Sequence, residues 1–136
     1  MTRNITEIII HCSATIEGKH FTAGDIDRWH RQRGFTSIGY HYVILLNGEI
    51  QQGRDLQQIG AHCKGHNRQS IGICYIGGLD NKGIAKDTRT PKQKDSLHRL
   101  LQSLKRQFPD AHIVGHNNFA NKDCPCFDAE KEYSMI

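Results

Sequence analysis

Two histidines and one cysteine fall where a sheet could bring reactive groups together. His11 follows the β-branched run Ile8-Ile9-Ile10, and His116 follows the short apolar stretch 112–115, so each sits where a strand gives way to a loop. That boundary is where an α/β sheet usually presents its ligands and reactive groups. Cys124 lies at i+8 from His116, in a segment that reads as loop. Two imidazoles and a thiolate are a zinc-binding set, and three protein ligands leave the fourth tetrahedral position open, as catalysis requires. Taken singly, each residue has a plainer reading. A histidine is more often packed or solvated than ligating, and a cysteine is often a small buried apolar group. Spacing alone leaves both readings open.

The elements that must position these groups are legible in outline. Residues 5–11 read as a strand buried on both faces, ending on His11. A helix is predicted over about 23–33, with Thr22 and Asp25 as a capping-box variant, Gly34 as its stop, and Ile26, Trp29, His30 and Arg33 on one face. Residues 40–46 and 49–53 read as a hairpin around the two-residue turn Asn47-Gly48. Residues 70–76 form another apolar run, closed by Gly77-Gly78. Thr90-Pro91 opens a second helix whose apolar stripe is Leu97, Leu100, Leu101, Leu104 and Phe108. A last strand is predicted over 112–115, then loop with one closing helical turn near 128–133. The pattern predicts an α/β fold, one domain over 1–136, with a central mixed β-sheet of about five strands and flanking α-helices.

Composition narrows the function. With 136 residues, 37% of them hydrophobic and 24% charged, the chain can bury one core and has no room for a second domain. The net charge is +4, but basic and acidic residues alternate. The sequence has no dense basic block to track a phosphate backbone, and the mild positive balance suits an anionic polymer as readily as nucleic acid, so charge does not decide between them. The motifs, not the charge, leave no nucleic acid among the expected partners. Five cysteines at irregular spacing fit reduced thiols or a metal thiolate better than a disulfide framework. The opening Met-Thr-Arg-Asn-Ile-Thr-Glu has no signal-peptide character, and no stretch approaches the roughly 18 apolar residues of a membrane span. Synthesis in the cytoplasm is therefore the expectation.

Six motifs occur in order: 9–15 (Ile-Ile-His-Cys-Ser-Ala-Thr), Gly39-Tyr40-His41-Tyr42, Asn47-Gly48 with Gly53-Arg54, Gly60-Ala61-His62 with Gly65 and Asn67, Ser70-Ile71-Gly72-Ile73, and Gly115-His116 with Lys122 and Cys124-Pro125. Together they cover nearly the whole chain. They resemble the N-acetylmuramoyl-L-alanine amidase and peptidoglycan recognition protein family, most nearly its short bacteriophage amidase-lysozymes. The resemblance implies a Zn2+ cofactor held by His11, His116 and Cys124. Some relatives place Asp at the third position, but the ligand precedes the last proline. Cys124 precedes Pro125, whereas Asp123 is one place out of register. It further implies Tyr40 and Lys122 as catalytic partners of the metal, and His62 and Asn67 as residues lining the substrate groove. Without the motif, Lys122 would be a solvated loop lysine and Tyr40 a strand-start aromatic. His20, His30, His66, His98 and His112 have no motif support and read as surface or packing residues, and Cys12, Cys63 and Cys74 as small buried groups.

The implied reaction is hydrolysis of the amide between the lactyl group of N-acetylmuramic acid and L-alanine in peptidoglycan, by a phage or prophage lytic enzyme reaching the cell wall after release. A glycosidase would need a pair of carboxylates, for which there are no obvious candidates. The family also includes recognition proteins that have lost the third ligand and only bind peptidoglycan; Cys124 argues against that alternative here. Some phage relatives restrain a polymerase as well; such a partner is open here, since the N-terminal residues are too few and unmarked to decide for or against it. A monomer is expected. The departure from the pattern is Cys126, where relatives usually carry Ser or Gly. As a fourth ligand it would close the site into a structural His2Cys2 centre, although Cys-Pro-Cys lacks the two-residue spacer common in such sites.

Overall fold

The structure is a computed structural model that describes residues 3–136; Met1 and Thr2, which open the segment read as lacking an export signal, lie outside them. The β-branched run becomes β1 (Glu7–Cys12), followed by β2 (Thr15–Ile16), α1 (Ala23–Gln32), β3 (Tyr42–Ile44) and β4 (Ile50–Gln52). Then come β5 (Ser70–Tyr75), β6 (Gly78–Leu79), α2 (Pro91–Gln107), β7 (His112–Gly115) and the short α3 (Ala129–Glu132). The main sheet has the order β4-β3-β5-β1-β7, with only β3 and β4 antiparallel. This is the mixed five-stranded sheet with flanking helices that the sequence predicts.

The topology puts the two long helices on opposite faces. The chain leaves β1 through α1 and crosses β5 to reach β3, whereas it leaves β5 through α2 and crosses β1 to reach β7. Crossovers in opposite directions, both right-handed, must lie on opposite sides of the sheet. Side chains sort accordingly. Ile8, Ile10, Ile71, Ile73 and Ile113 pack with Leu97, Leu101 and Leu104 of α2. Val43, Cys74 and Ile76 pack with Ile26 of α1 on the other face, where Ile9, Cys63 and Val114 form a smaller cluster. Each fully buried leucine of α2 contributes roughly 2–3 kcal/mol by removing its side chain from water.

Both helices begin as the sequence predicts. The Thr90 hydroxyl accepts from Gln93 N–H at 3.1 Å while the Gln93 side-chain Oε1 accepts from Thr90 N–H at 2.9 Å. The same reciprocal pair joins Thr22 and Asp25. Such a cap satisfies donors the helix cannot pair internally.

Three local features differ from the sequence reading. β1 continues through Cys12, which pairs with Tyr75. The hairpin does not close on a two-residue turn: Gly48 N–H donates to Leu45 O at 2.9 Å and Leu45 N–H to Glu49 O at 2.9 Å, leaving three residues in the loop. Gly48 sits at φ +89, the left-handed conformation that lets a type I turn rejoin the strands. Finally, β2 and β6 pair in parallel as a two-stranded extension beyond β1 and β5.

The C-terminal segment is fastened by Arg89, whose side chain is 1% exposed. Its guanidinium donates to both carboxylate oxygens of Asp87 and of Glu132 and to the Tyr133 hydroxyl, and lies 3.4 Å from the Phe127 ring centroid. Removing a buried charge's partner costs about 3–5 kcal/mol, but Asp87 and Glu132 keep 29% and 43% exposure, so water takes up part of the loss. Arg89→Ala should therefore destabilise the fold by about 2–3 kcal/mol, read as a lowered urea midpoint. Burial raises the Asp87 pKa but is outweighed by hydrogen bonds from Arg89, and the same partner holds Glu132 low. A carboxyl depressed in the fold stabilises at neutral pH, and that contribution fades as pH falls below about 4. The difference between wild type and Arg89→Ala should shrink over that range.

Candidate metal centre

The parallel strands end together, and their ends carry the site. His11 is the penultimate residue of β1, on the face that carries α1, and is 1% exposed. His116 opens a single 3-10 turn directly after β7, the neighbour of β1. Cys124 lies on the segment that returns from that turn toward β1. One ligand atom from each of His11, His116 and Cys124 lies within 4.8 Å of the others. Cys124 Sγ is 3.9 Å from His11 Nδ1 and accepts a hydrogen bond from Cys12 N–H at 3.2 Å. Burial drives the pKa of His11 well below its ordinary value, with added repulsion from His62, His116 and Lys122; burial and then Lys122 lower that of His116. Both imidazoles are therefore neutral at pH 7, with lone pairs available.

Tyr40 stands beside the cluster, its ring centroid 5.1 Å from that of His11. Burial, then the neighbouring thiols Cys74, Cys124 and Cys12, push its phenol well above the ordinary value, so it remains a proton donor. Tyr40 also walls a cavity of about 130 Å³ with Trp29, His30 and Arg33 of the first helical segment. Lys122 is exposed, near enough to His11 and His116 to depress both.

A family profile described as N-acetylmuramoyl-L-alanine amidase matches residues 1–127. The chain belongs to that amidase family. Among its relatives, the endolysin of Escherichia phage T7 is 39% identical over 124 residues, covering 91% of this chain and 82% of the relative. The endolysin of Enterobacteria phage K11 is 36% identical over 126 residues, covering 93% and 83%. Among solved structures, the N-acetylmuramoyl-L-alanine amidase LysC from Clostridium intestinale superposes with a TM-score of 0.81 at 29% identity, covering 96% of this chain and 83% of that one.

In this amidase-family chain the other motif residues are brought near the cluster in different ways. His62 borders His11, with Nδ1 at 2.8 Å from His11 Nε2 and Nε2 at 3.2 Å from Ser70 Oγ, so both ring nitrogens are engaged inside the protein. Asn67 Oδ1 accepts from the backbone N–H of His62 and of Cys63, both at 2.9 Å, and thereby closes the loop between them. Cys126 is outside the ligand cluster: its Sγ lies 3.9 Å from Cys12 Sγ and 3.3 Å from Gly78 O. His30 and His66 pack as expected, His30 accepting from Gly39 N–H and His66 stacking on Phe119 at 3.8 Å. The sequence motifs include Ser70 and Gly72 but assign neither a role, and they leave out the Cys12 amide. Gly72 left a signal, because a glycine inside a buried strand often marks a close approach by another group.

Proposed function

We propose that this chain hydrolyses the amide joining the lactyl group of N-acetylmuramic acid to L-alanine in bacterial peptidoglycan, with zinc held by His11, His116 and Cys124. The observation that carries the proposal is the convergence of those three ligand atoms within 4.8 Å in a member of the amidase family. The donor set fits the metal. Zn–N near 2.1 Å and Zn–S near 2.3 Å at a tetrahedral angle require an N to S separation of about 3.6 Å. The separation of 3.9 Å between His11 Nδ1 and Cys124 Sγ comes within a few tenths of that. Zinc bound there would supply a Lewis acid and lower the pKa of bound water to about 7.

The chain's own groups account for the rest. His11 and His116 are held neutral by burial and so can ligate at physiological pH. As the amide carbon becomes tetrahedral its oxygen gains negative charge, and the Lys122 ammonium beside the two histidines offsets it. The Tyr40 phenol, kept protonated by burial, donates a hydrogen bond to the departing nitrogen or orients the attacking water. The endolysin relatives support a role in cell lysis. The proposal includes action on the wall after release from the cytoplasm, as a monomer.

Purified cell walls test the reading. Turbidity should fall as free L-alanine amino groups appear, and a chelator should stop both until zinc is restored. Walls that bind the protein without releasing amino groups would instead establish a recognition module.

A further inference from the structure

His62 is a motif histidine in contact with the ligand His11 that the mechanism leaves unused. Its ring fills the space over Gly72 on the α1 face of the sheet: a Cβ at residue 72 would meet three of its ring atoms at 2.6–2.8 Å. A Cβ at Gly60 would meet the same ring at 2.8 Å. Two glycines thus make room for one imidazole. In the register of β1 and β5, Ile9 lies opposite Gly72 and His11 opposite Cys74. A ring seated over Gly72 therefore reaches diagonally to His11 on β1 and along β5 to Ser70. The contacts follow, 2.8 Å from His11 Nε2 to His62 Nδ1 and 3.2 Å from His62 Nε2 to Ser70 Oγ.

Resting on the zinc reading above, we infer that His62 is a positioning residue that sets the tautomer and the aim of the ligand His11, rather than a contact for peptidoglycan. The His11 nitrogen that faces Cys124 is Nδ1. A ligating nitrogen must offer its lone pair, so His11 carries its proton on Nε2 and donates it to His62 Nδ1. His62 then carries its own proton on Nε2 and donates it to Ser70 Oγ. Asn67 completes the arrangement by holding the His62 backbone N–H at 2.9 Å. Partners of this kind orient a ligating imidazole and raise its basicity, and losing one typically weakens metal binding by about 10- to 100-fold.

The test is zinc affinity, measured on the full chain by competition with a chromophoric chelator and without substrate. His62→Phe keeps an aromatic ring over Gly72 but has no acceptor, and should weaken zinc binding by about 10- to 100-fold. His62→Asn loses the ring but places its Oδ1 where Nδ1 stood, and should stay close to wild type. Gly72→Ala, which pushes the native ring aside, should behave like His62→Phe. Thermal melts of the apo forms separate these effects from unfolding. A pure packing role would give the opposite order, with Phe tolerated and Asn impaired, and would overturn the inference. So would an Asn variant with unchanged zinc affinity and a raised KM, the mark of a substrate contact. A wild-type chain that binds no zinc would overturn this inference together with the zinc reading, and is recognised because no substitution is involved.

Discussion

Cys124→Ser is expected to lose zinc and to lower kcat/KM by roughly a thousandfold or more, because metal catalysis of this kind supplies several kcal/mol of transition-state stabilisation and each 1.36 kcal/mol is a factor of ten. His116→Ala should do the same. Cys126→Ser should keep full zinc content and activity, because the Cys126 thiol faces Cys12 Sγ and Gly78 O rather than the ligand cluster. The pair of cysteine variants is informative because only Pro125 separates the two residues. Metal analysis showing zinc lost from both would mean a closed four-ligand centre, and the open catalytic site would have to be abandoned.

The second large effect is expected at Lys122. Lys122→Ala should lower kcat by about 100- to 1,000-fold, the usual cost of removing a group that stabilises an oxyanion. Zinc content and KM should change little, because the ammonium acts on charge that develops only in the transition state. Tyr40→Phe should likewise reduce kcat, by about 100-fold, with the metal retained. Stopped assays over a range of substrate concentrations, with zinc quantified in the same preparations, check both. Should Lys122→Ala instead raise KM alone, the lysine would be a binding residue and the transition-state role would fail.

How far the site could be read from sequence depends on what each residue's role requires. The helix starts were legible because their chemistry is local: Thr90, Pro91 and Gln93 make their cap within four residues. The parallel core was legible through continuous apolar runs such as Ile8-Ile9-Ile10. The extension of β2 and β6 was not, because two-residue strands have no periodicity and depend on the chain turning at Ala14, φ +55. The hairpin was found, but its loop length was set by how Gly48 N–H closes onto Leu45 O, which residue types alone did not specify.

The same division runs through the candidate site. Motif order brought out His11, His116 and Cys124, and the fold draws their ligand atoms together. His62 and Asn67 were also singled out, but a motif does not say which way a ring points. That direction depends on the register that sets Ile9 against Gly72 and on the missing Cβ at residue 72, neither of which is visible before the strands are paired. Ser70, although part of a motif, had no legible role for the same reason: its hydroxyl matters only once His62 is seated beside it.

The most direct measurement for the central claim is mass spectrometry of peptidoglycan digested by the purified chain. Amide cleavage should leave glycan strands that keep their sugar linkages and carry free lactyl carboxyl groups, together with released stem peptides that begin at L-alanine. Fragments with new reducing sugar ends and intact lactyl-alanine bonds would contradict it.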